Sequence, residues 1–211
     1  MRNVTDRTSN PFGLDPPCEQ FVPGYGDANA DFHVIGDHPG SHGGVDTGVP
    51  FTETAGSEAL QSVLQASGLL ATTGDRPTVN ATYLSYLHLC VPPADREPTD
   101  REYADMEPFF DAELRAIAAH VLLPVGERAT RHIFETCTAR PWTPTTEMDD
   151  LHATEIRGSG WLVVPIAEPA DWGPDDAAAL EAALKQLQAT DFRRESDLGR
   201  FIAGNDPYYV R

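Results

Sequence analysis

Lysine is nearly absent from this chain. Among its 211 residues Lys185 is the only lysine, so fourteen of the fifteen basic residues are arginine, against 33 acidic ones and a net charge of −18. DNA phosphates are bound by basic surface, so this balance by itself argues against a nucleic-acid partner. At molar salt, however, the Debye length falls to about 3 Å and surface self-repulsion is largely screened. The charge therefore indicates a halophilic protein with an acidic surface, whose arginines could still contact phosphates locally.

Long apolar runs and cysteine are also scarce. No apolar segment approaches the roughly 18–20 residues that cross a bilayer, and the N-terminus lacks the apolar core of a secretory signal. We therefore expect a soluble cytoplasmic protein without a membrane partner. The three cysteines, Cys18, Cys90 and Cys137, are widely spaced and form no CxxC pair. An odd cysteine count in a cytosolic chain predicts buried thiols and no disulfide framework.

Apolar periodicity predicts alternating strands and helices. Strands are predicted over 31–36, 82–90, 120–124 and 161–166, the last preceded by a hairpin arm at 151–156. Helices are predicted over 57–70, 99–119, 127–134 and 175–190, the second opening on a capping box of Thr99 and Glu102.

This alternation predicts a single three-layer α/β/α domain, with helices on both faces of a central four-stranded, mainly parallel sheet. The domain is expected at 31–190. Residues 1–30 are expected to be an irregular segment packed on it, and 191–211 a C-terminal extension. We expect a monomer.

Ligands of such sheets bind beyond the carboxyl ends of the strands, which directs attention to the loop after Ile35. That loop holds Asp37, His38, His42 and Asp46 among five glycines. A metal site, a phosphate cradle and a base-handling loop are the three interpretations. The spacing matches no strong metal-ligand template, and neither GKS/T nor GxGxxG is present. The third interpretation, in which an acid orients water and an aromatic ring stacks on a base, is therefore favoured.

Two linked motifs in this region resemble a known family. Residues 36–40 read GDHPG and residues 48–56 read GVPFTETAG, after a predicted strand and before a predicted helix. They are similar to the paired motifs of the thermophile-type, iron–sulfur-containing uracil-DNA glycosylases, and the segments 22–31 and 89–99 extend the similarity. The resemblance implies the uracil-DNA glycosylase fold and DNA repair. Its members recognise a flipped uracil or other damaged base in DNA and hydrolyse the N-glycosidic bond.

The resemblance also implies catalytic roles, and two positions depart from the family pattern. Asp37 stands at the water-positioning acid and Phe51 at the base-stacking ring. Tyr86 stands where the family has an asparagine that reads the uracil edge, and a phenol cannot make that paired contact. The family also has a His-Pro turn after its last strand, which aligns with residues 168–170 (EPA), so Glu168 stands in place of that histidine. At 4 Å and an effective dielectric near 20, an ionised Glu168 would oppose the departing uracil anion by about 4 kcal/mol. A protonated Glu168, or His88, could donate to the leaving group instead, although His88 could equally be a structural histidine.

Further residues are predicted to surround the base. His38 is expected at the base itself, and four residues are expected at the DNA: Pro39, Gly40, Arg96 and Pro169. The family's iron–sulfur cluster needs four cysteines. Here Cys90 stands at one ligand position, Cys18 lies alone near the N-terminal pair, and Met106 occupies another. We therefore expect neither this cluster nor any other metal.

Two other functions remain open. The loss of both the asparagine and the histidine is compatible with a catalytically silent member of the fold that binds DNA or a base. A hydrolase of free nucleosides is the third interpretation, and it predicts no affinity for DNA.

Overall fold

The computed structural model describes residues 8–93, 96–138, 140–143 and 145–199. Its six strands are β1 (Tyr25–Gly26), β2 (Phe32–Gly36), β3 (Thr82–Tyr86), β4 (Val121–Pro124), β5 (Ile156–Arg157) and β6 (Leu162–Val163). They form one sheet in the order β1-β3-β2-β4-β6-β5. The three inner pairings are parallel, and both edge strands pair antiparallel to their neighbours.

The predicted strand number was wrong, because the sheet has six strands and its two edges run against the inner ones. β1 lies in the segment that the sequence predicted as irregular, and its two residues are too short to display an alternating pattern. β5 is antiparallel to β6, as the predicted hairpin implies, but it covers Ile156–Arg157 and not 151–156. Two predicted strands were also too long at their carboxyl ends: β3 ends at Tyr86, where the chain leaves the sheet, and β6 ends at Val163.

Four of the described helices follow the predicted periodic segments closely, and three further helices were not predicted. They are α1 (Pro39–His42), α2 (Ala55–Ala66), α3 (Asp100–Ile117), α4 (Gly126–Cys137), α5 (Met148–Leu151), α6 (Asp176–Gln188) and α7 (Phe192–Gly199), with a 3-10 turn at Pro169–Asp171. The predicted capping box is confirmed, since the Thr99 side chain accepts from the Glu102 amide and the Glu102 carboxylate from the Thr99 amide. Of the predicted C-terminal extension, residues 200–211 lie outside the described part.

Two apolar layers sandwich the sheet. On β2, Val34 faces the core shared with α2 and α6, and Ile35 faces the core shared with α3 and α4. This alternation arises because successive strand residues point to opposite faces. The α/β class is thus confirmed, with helices on both faces. Among the described helices, none combines the length and apolar character that crossing a membrane requires.

The cysteine prediction was wrong for two of the three residues. Cys18 and Cys90 form a disulfide with their Cα atoms 6.1 Å apart, whereas Cys137 is a buried free thiol. The N-terminal segment runs antiparallel to the chain after β3: the Val22 amide donates to the Leu89 carbonyl at 2.9 Å, and the Val91 amide to the Gln20 carbonyl at 3.0 Å. This tertiary contact brings the two thiols within bonding distance, and spacing along the chain carries no sign of it.

Candidate active site

The loop after β2 (residues 37–54), which we call the first loop, is built around glycines and a short helix. His38 precedes α1, and its Nδ1 accepts a hydrogen bond from the Gly40 amide at 3.1 Å. Gly43 and Gly44 have φ angles of 79° and 92°, and a Cβ on Gly43 would lie 1.7 Å from the Thr52 carbonyl oxygen. Only glycine tolerates both that conformation and that approach. The chain therefore folds back, and residues of both linked motifs end up beside the carboxyl end of β2.

Asp37 follows the last residue of β2, and a tyrosine and an arginine hold its carboxylate. The Tyr103 hydroxyl of α3 donates to Asp37 Oδ1, and Arg128 Nε of α4 lies 3.8 Å from Oδ2. The Arg128 guanidinium also lies over the Tyr103 ring, 4.3 Å from its centroid. Burial, and then the bond to Asp37, raise the pKa of Tyr103, so the phenol remains a donor. With 19% of its side chain exposed, Asp37 can be reached by water.

Glu168, in the loop after β6, contacts His42 of the first loop, to which the motifs assign no catalytic role. His42 Nε2 lies 3.0 Å from Glu168 Oε2, and the Asp37 amide donates to His42 Nδ1 at 3.1 Å. His42 is 3% exposed, whereas the Glu168 side chain is 36% exposed. An imidazole therefore lies beside Glu168, the position at which the family has the histidine of its His-Pro turn, but this imidazole is supplied by the first loop.

Phe51 and Tyr86 lie together, and both are fully buried. The Tyr86 hydroxyl accepts from the Phe51 amide at 2.7 Å and lies 3.0 Å from the carbonyl oxygens of both His42 and Gly43, to which it can donate. Phe51 has a φ of 59°, which is uncommon for a residue with a side chain. The Tyr86 hydroxyl thus braces the backbone of the first loop. Since neither ring is exposed, a base can stack on Phe51 only if the aromatic cluster rearranges.

The other predicted residues lie around this centre. His88 is buried; its Nδ1 donates to the Cys90 carbonyl at 2.9 Å, and its ring packs edge-on to Tyr103. Burial lowers the pKa of His88, so its ring is neutral. These contacts place His88 behind Tyr103 on the Asp37 side of the site, and no contact between His88 and Glu168 is seen in the described residues.

The residues expected at the base and at the DNA lie on two rims of the site. His38, expected at the base, contacts Glu97 through Nε2. Together with Gly40 and Arg96, which were expected at the DNA, it lines a cavity of roughly 640 Å³ between the first loop and the chain after β3. Pro169 begins the 3-10 turn on the opposite rim. That turn packs on the start of α2, where a Cβ on Gly56 would lie 3.0 Å from the Ala170 amide. The tertiary fold thus brings the first loop and the loop after β6 to one edge of the sheet.

The cysteines do not fit a four-thiolate cluster. The chain has three cysteines, of which Cys18 and Cys90 are joined and Cys137 is buried at the end of α4. At Met106, the Cys90 sulfur contacts a thioether at 3.5 Å, which is not a thiolate ligand. An iron–sulfur cluster requires four such ligands. The absence of a cofactor stays a prediction.

Comparisons with known proteins agree with the motifs. The family model described as the uracil DNA glycosylase superfamily matches residues 23–188. A type-4 uracil-DNA glycosylase of Saccharolobus solfataricus is 25% identical over 82% of this chain and 73% of its own length. A second type-4 uracil-DNA glycosylase, from Archaeoglobus fulgidus, is 25% identical over 84% of this chain and 81% of its own length. A type-5 uracil-DNA glycosylase of Pyrobaculum aerophilum is 32% identical, over 54% of this chain and 52% of its own length.

Proposed function

Because the chain belongs to the uracil DNA glycosylase superfamily, we propose that it binds DNA and hydrolyses the N-glycosidic bond of uracil or another modified base. The observation that carries this proposal is the placement of Asp37. Its carboxylate lies at the carboxyl end of β2, is reachable by water, and is held by Tyr103 and Arg128. A fixed carboxylate at this edge is what the reaction needs to orient water toward the sugar carbon.

The departing base and the sugar place opposite demands on the site. As the glycosidic bond breaks, the sugar becomes oxocarbenium-like and the base carries negative charge. Asp37 suits the sugar, because a carboxylate stabilises a developing cation. Arg128, whose side chain is 46% exposed beside Asp37, offers positive charge toward phosphate or toward the base. In a chain of net charge −18, an arginine at this position is the local exception that DNA binding requires.

The test compares two aspartates that share one arginine. Arg128 lies within 4 Å of both Asp37 and Asp100, and the Asp100 side chain is 98% exposed. Asp37→Asn should lower the excision of uracil or hypoxanthine from oligonucleotides at molar salt by roughly 100-fold or more, because a positioned carboxylate contributes about that much. Asp100→Asn should keep parental activity.

Release of no modified base by the well-folded parent would overturn the proposal. Equal losses in the two variants would show that Asp37 acts only through Arg128. Hydrolysis of free deoxyuridine without affinity for DNA would instead support the nucleoside hydrolase.

A second candidate function is DNA binding without turnover, and the aromatic cluster favours it. Phe51 and Tyr86 are fully buried, and the Tyr86 hydroxyl is occupied by backbone groups of the first loop. A base therefore lacks both the exposed ring face and the amide that the family uses to read it.

This candidate predicts affinity for single-stranded or lesion-containing DNA without release of a base. It also predicts that the double substitution Tyr86→Asn with Glu168→His creates activity that the parent lacks. Efficient excision by the parent would rule the silent function out, whatever the double variant does.

A further inference from the structure

We propose that His42 is a positioning residue that fixes the two candidate catalytic carboxylates, Asp37 and Glu168, relative to each other. This inference rests on the proposed glycosylase function. The imidazole contacts both partners at once, the backbone amide of Asp37 through Nδ1 and the carboxylate of Glu168 through Nε2. Glu168 follows His42 by 126 positions, so one side chain joins the loop after β2 to the loop after β6.

The hydrogen bonds define the protonation of the imidazole. An amide N–H can only donate, so His42 Nδ1 must accept from the Asp37 amide and cannot carry a proton. The proton of a neutral ring then lies on Nε2 and points at Glu168 Oε2, 3.0 Å away. His42 is therefore held as a single tautomer that donates to Glu168, in the way that bonds at one ring nitrogen commonly set the state of the other.

Packing prevents the ring from turning. His42 is nearly buried and packs against Phe51 and Tyr86, with ring centroids 5.5 and 6.1 Å away. On the remaining side is Gly36, where an added Cβ would lie 2.8 Å from His42 Nδ1 and from atoms of both aromatic rings. Because the ring has no room to rotate, the direction of its Nε2–H bond is fixed by the fold.

Glu168 needs this support more than Asp37 does. Asp37 is also held by Tyr103 and Arg128, whereas the bond from His42 is the one side-chain hydrogen bond of Glu168 within the described part of the chain. Glu168 is 36% exposed and precedes a 3-10 turn of only three residues. Without His42, its carboxylate could rotate into water. His42 thus orients Glu168 to accept hydrogen bonds at the site, which is a different role from the acid that donates to a leaving base.

The test uses side chains of graded reach. A glutamine at position 42 can still place an N–H near Nε2, whereas an asparagine is too short to reach Glu168. We expect His42→Gln to keep kcat within about threefold of the parent and His42→Asn to lower it roughly 10- to 100-fold, with KM and DNA affinity unchanged. His132→Asn, a substitution of a partly buried histidine on α4, serves as the matched control and should keep parental kcat. Parental kcat in a folded His42→Asn variant, or equal losses in the asparagine and glutamine variants, would overturn the proposal.

A second measurement does not depend on catalysis. Nitrogen-15 NMR of the imidazoles in the parent at neutral pH should show His42 with Nδ1 unprotonated and Nε2 protonated. Glu168→Ala should speed exchange of the Nε2 proton with water, whereas Glu168→Gln, which retains an acceptor, should not. If the parent releases no base, excision fails as the function, but these spectra still decide the role of His42. A ring protonated at Nδ1, or insensitive to Glu168→Ala, would overturn that role.

Discussion

Two regions of the molecule, the carboxyl edge of the sheet and the sheet face toward α3, each hold a histidine, a glutamate and a tyrosine, but in different surroundings. At the candidate active site, His42 donates to the partly exposed Glu168 beside Tyr86. On the face toward α3, His33 packs against Tyr83, whose hydroxyl donates to Glu113 Oε1 at 2.7 Å. We call these the site triad (His42, Glu168, Tyr86) and the core triad (His33, Glu113, Tyr83).

Burial separates the chemistry of the two triads. All three core side chains are 0% exposed, and within the described residues His33 Nδ1 and Glu113 Oε2 have no hydrogen-bond partner. Burial raises the pKa of Glu113 to about 7 and lowers that of His33 to about 3, so both groups favour their neutral forms near pH 6. In the site triad each ring nitrogen of His42 has a partner, and Glu168 reaches water. The core triad is thus enclosed and favours uncharged forms, whereas in the site triad His42 keeps two hydrogen-bond partners and Glu168 keeps contact with solvent.

The largest expected effect is on the pH dependence of stability. The pKa of Glu113 is about 7 when folded, against an ordinary value of 4.5. Between these values the folded state holds a proton that the unfolded state has released, so the free energy of unfolding falls as pH rises through this window and stays lower above it. From about pH 4 to about pH 8 the loss is about 3 kcal/mol, at about 1.4 kcal/mol per pKa unit. Glu113→Gln should remove this loss in chemical denaturation at the two pH values, taken as a difference from the parent.

Glu168→Gln is the control for that experiment, because the two variants are expected to affect opposite properties. It should impair excision, whereas Glu113→Gln should spare excision and change how stability depends on pH. Similar stability profiles for the two variants would break the distinction between the triads.

The tyrosines give a smaller contrast. Tyr86→Phe leaves the buried Phe51 amide without its acceptor and removes the hydroxyl that can donate to the Gly43 carbonyl, whereas the His42 carbonyl still accepts from the Ser57 hydroxyl. We expect it to lower the free energy of unfolding by about 2 kcal/mol. Tyr83→Phe removes one donor from Glu113 and should cost about 1 kcal/mol, because that carboxyl group can remain protonated. Denaturant unfolding at one pH measures the free energy of unfolding of both variants. A greater decrease in Tyr83→Phe than in Tyr86→Phe would contradict the bracing role of Tyr86.

The smallest effect is expected at the rim of the site. His38 is buried and contacts Glu97, whose side chain is 76% exposed. Since contacts of exposed charges are weak and screened by salt, Glu97→Gln should change the free energy of unfolding by less than about 1 kcal/mol, and by less still at molar salt. Thermal unfolding at low and at molar salt tests this. A large decrease in stability that persists at molar salt would show that the contact between His38 and Glu97 is shielded from solvent.

Much of the fold was predictable because periodicity is local. The segments that form α2, α3, α4 and α6 each carry apolar residues at helical spacing, and the capping box of Thr99 and Glu102 predicted the start of α3. The edge strand β1 was not predictable, because pairing with its neighbour defines it and its own two residues do not, whereas β5 was predicted as the arm of a hairpin although its bounds were wrong. The disulfide of Cys18 and Cys90 could not be predicted either, because it depends on two segments that meet only in space.

In the candidate site, too, local features were predictable from the sequence, whereas contacts between distant segments were not. The motifs at 36–40 and 48–56 determined by themselves the family, the first loop and the positions of Asp37 and Phe51. Only the tertiary structure assigned partners: Tyr103 and Arg128 to Asp37, the first-loop backbone to the Tyr86 hydroxyl, and His42 to Glu168. The reason is physical. A turn is encoded by the glycines within it, whereas hydrogen bonds between loops exist only once the parallel strands have brought their carboxyl ends to one edge.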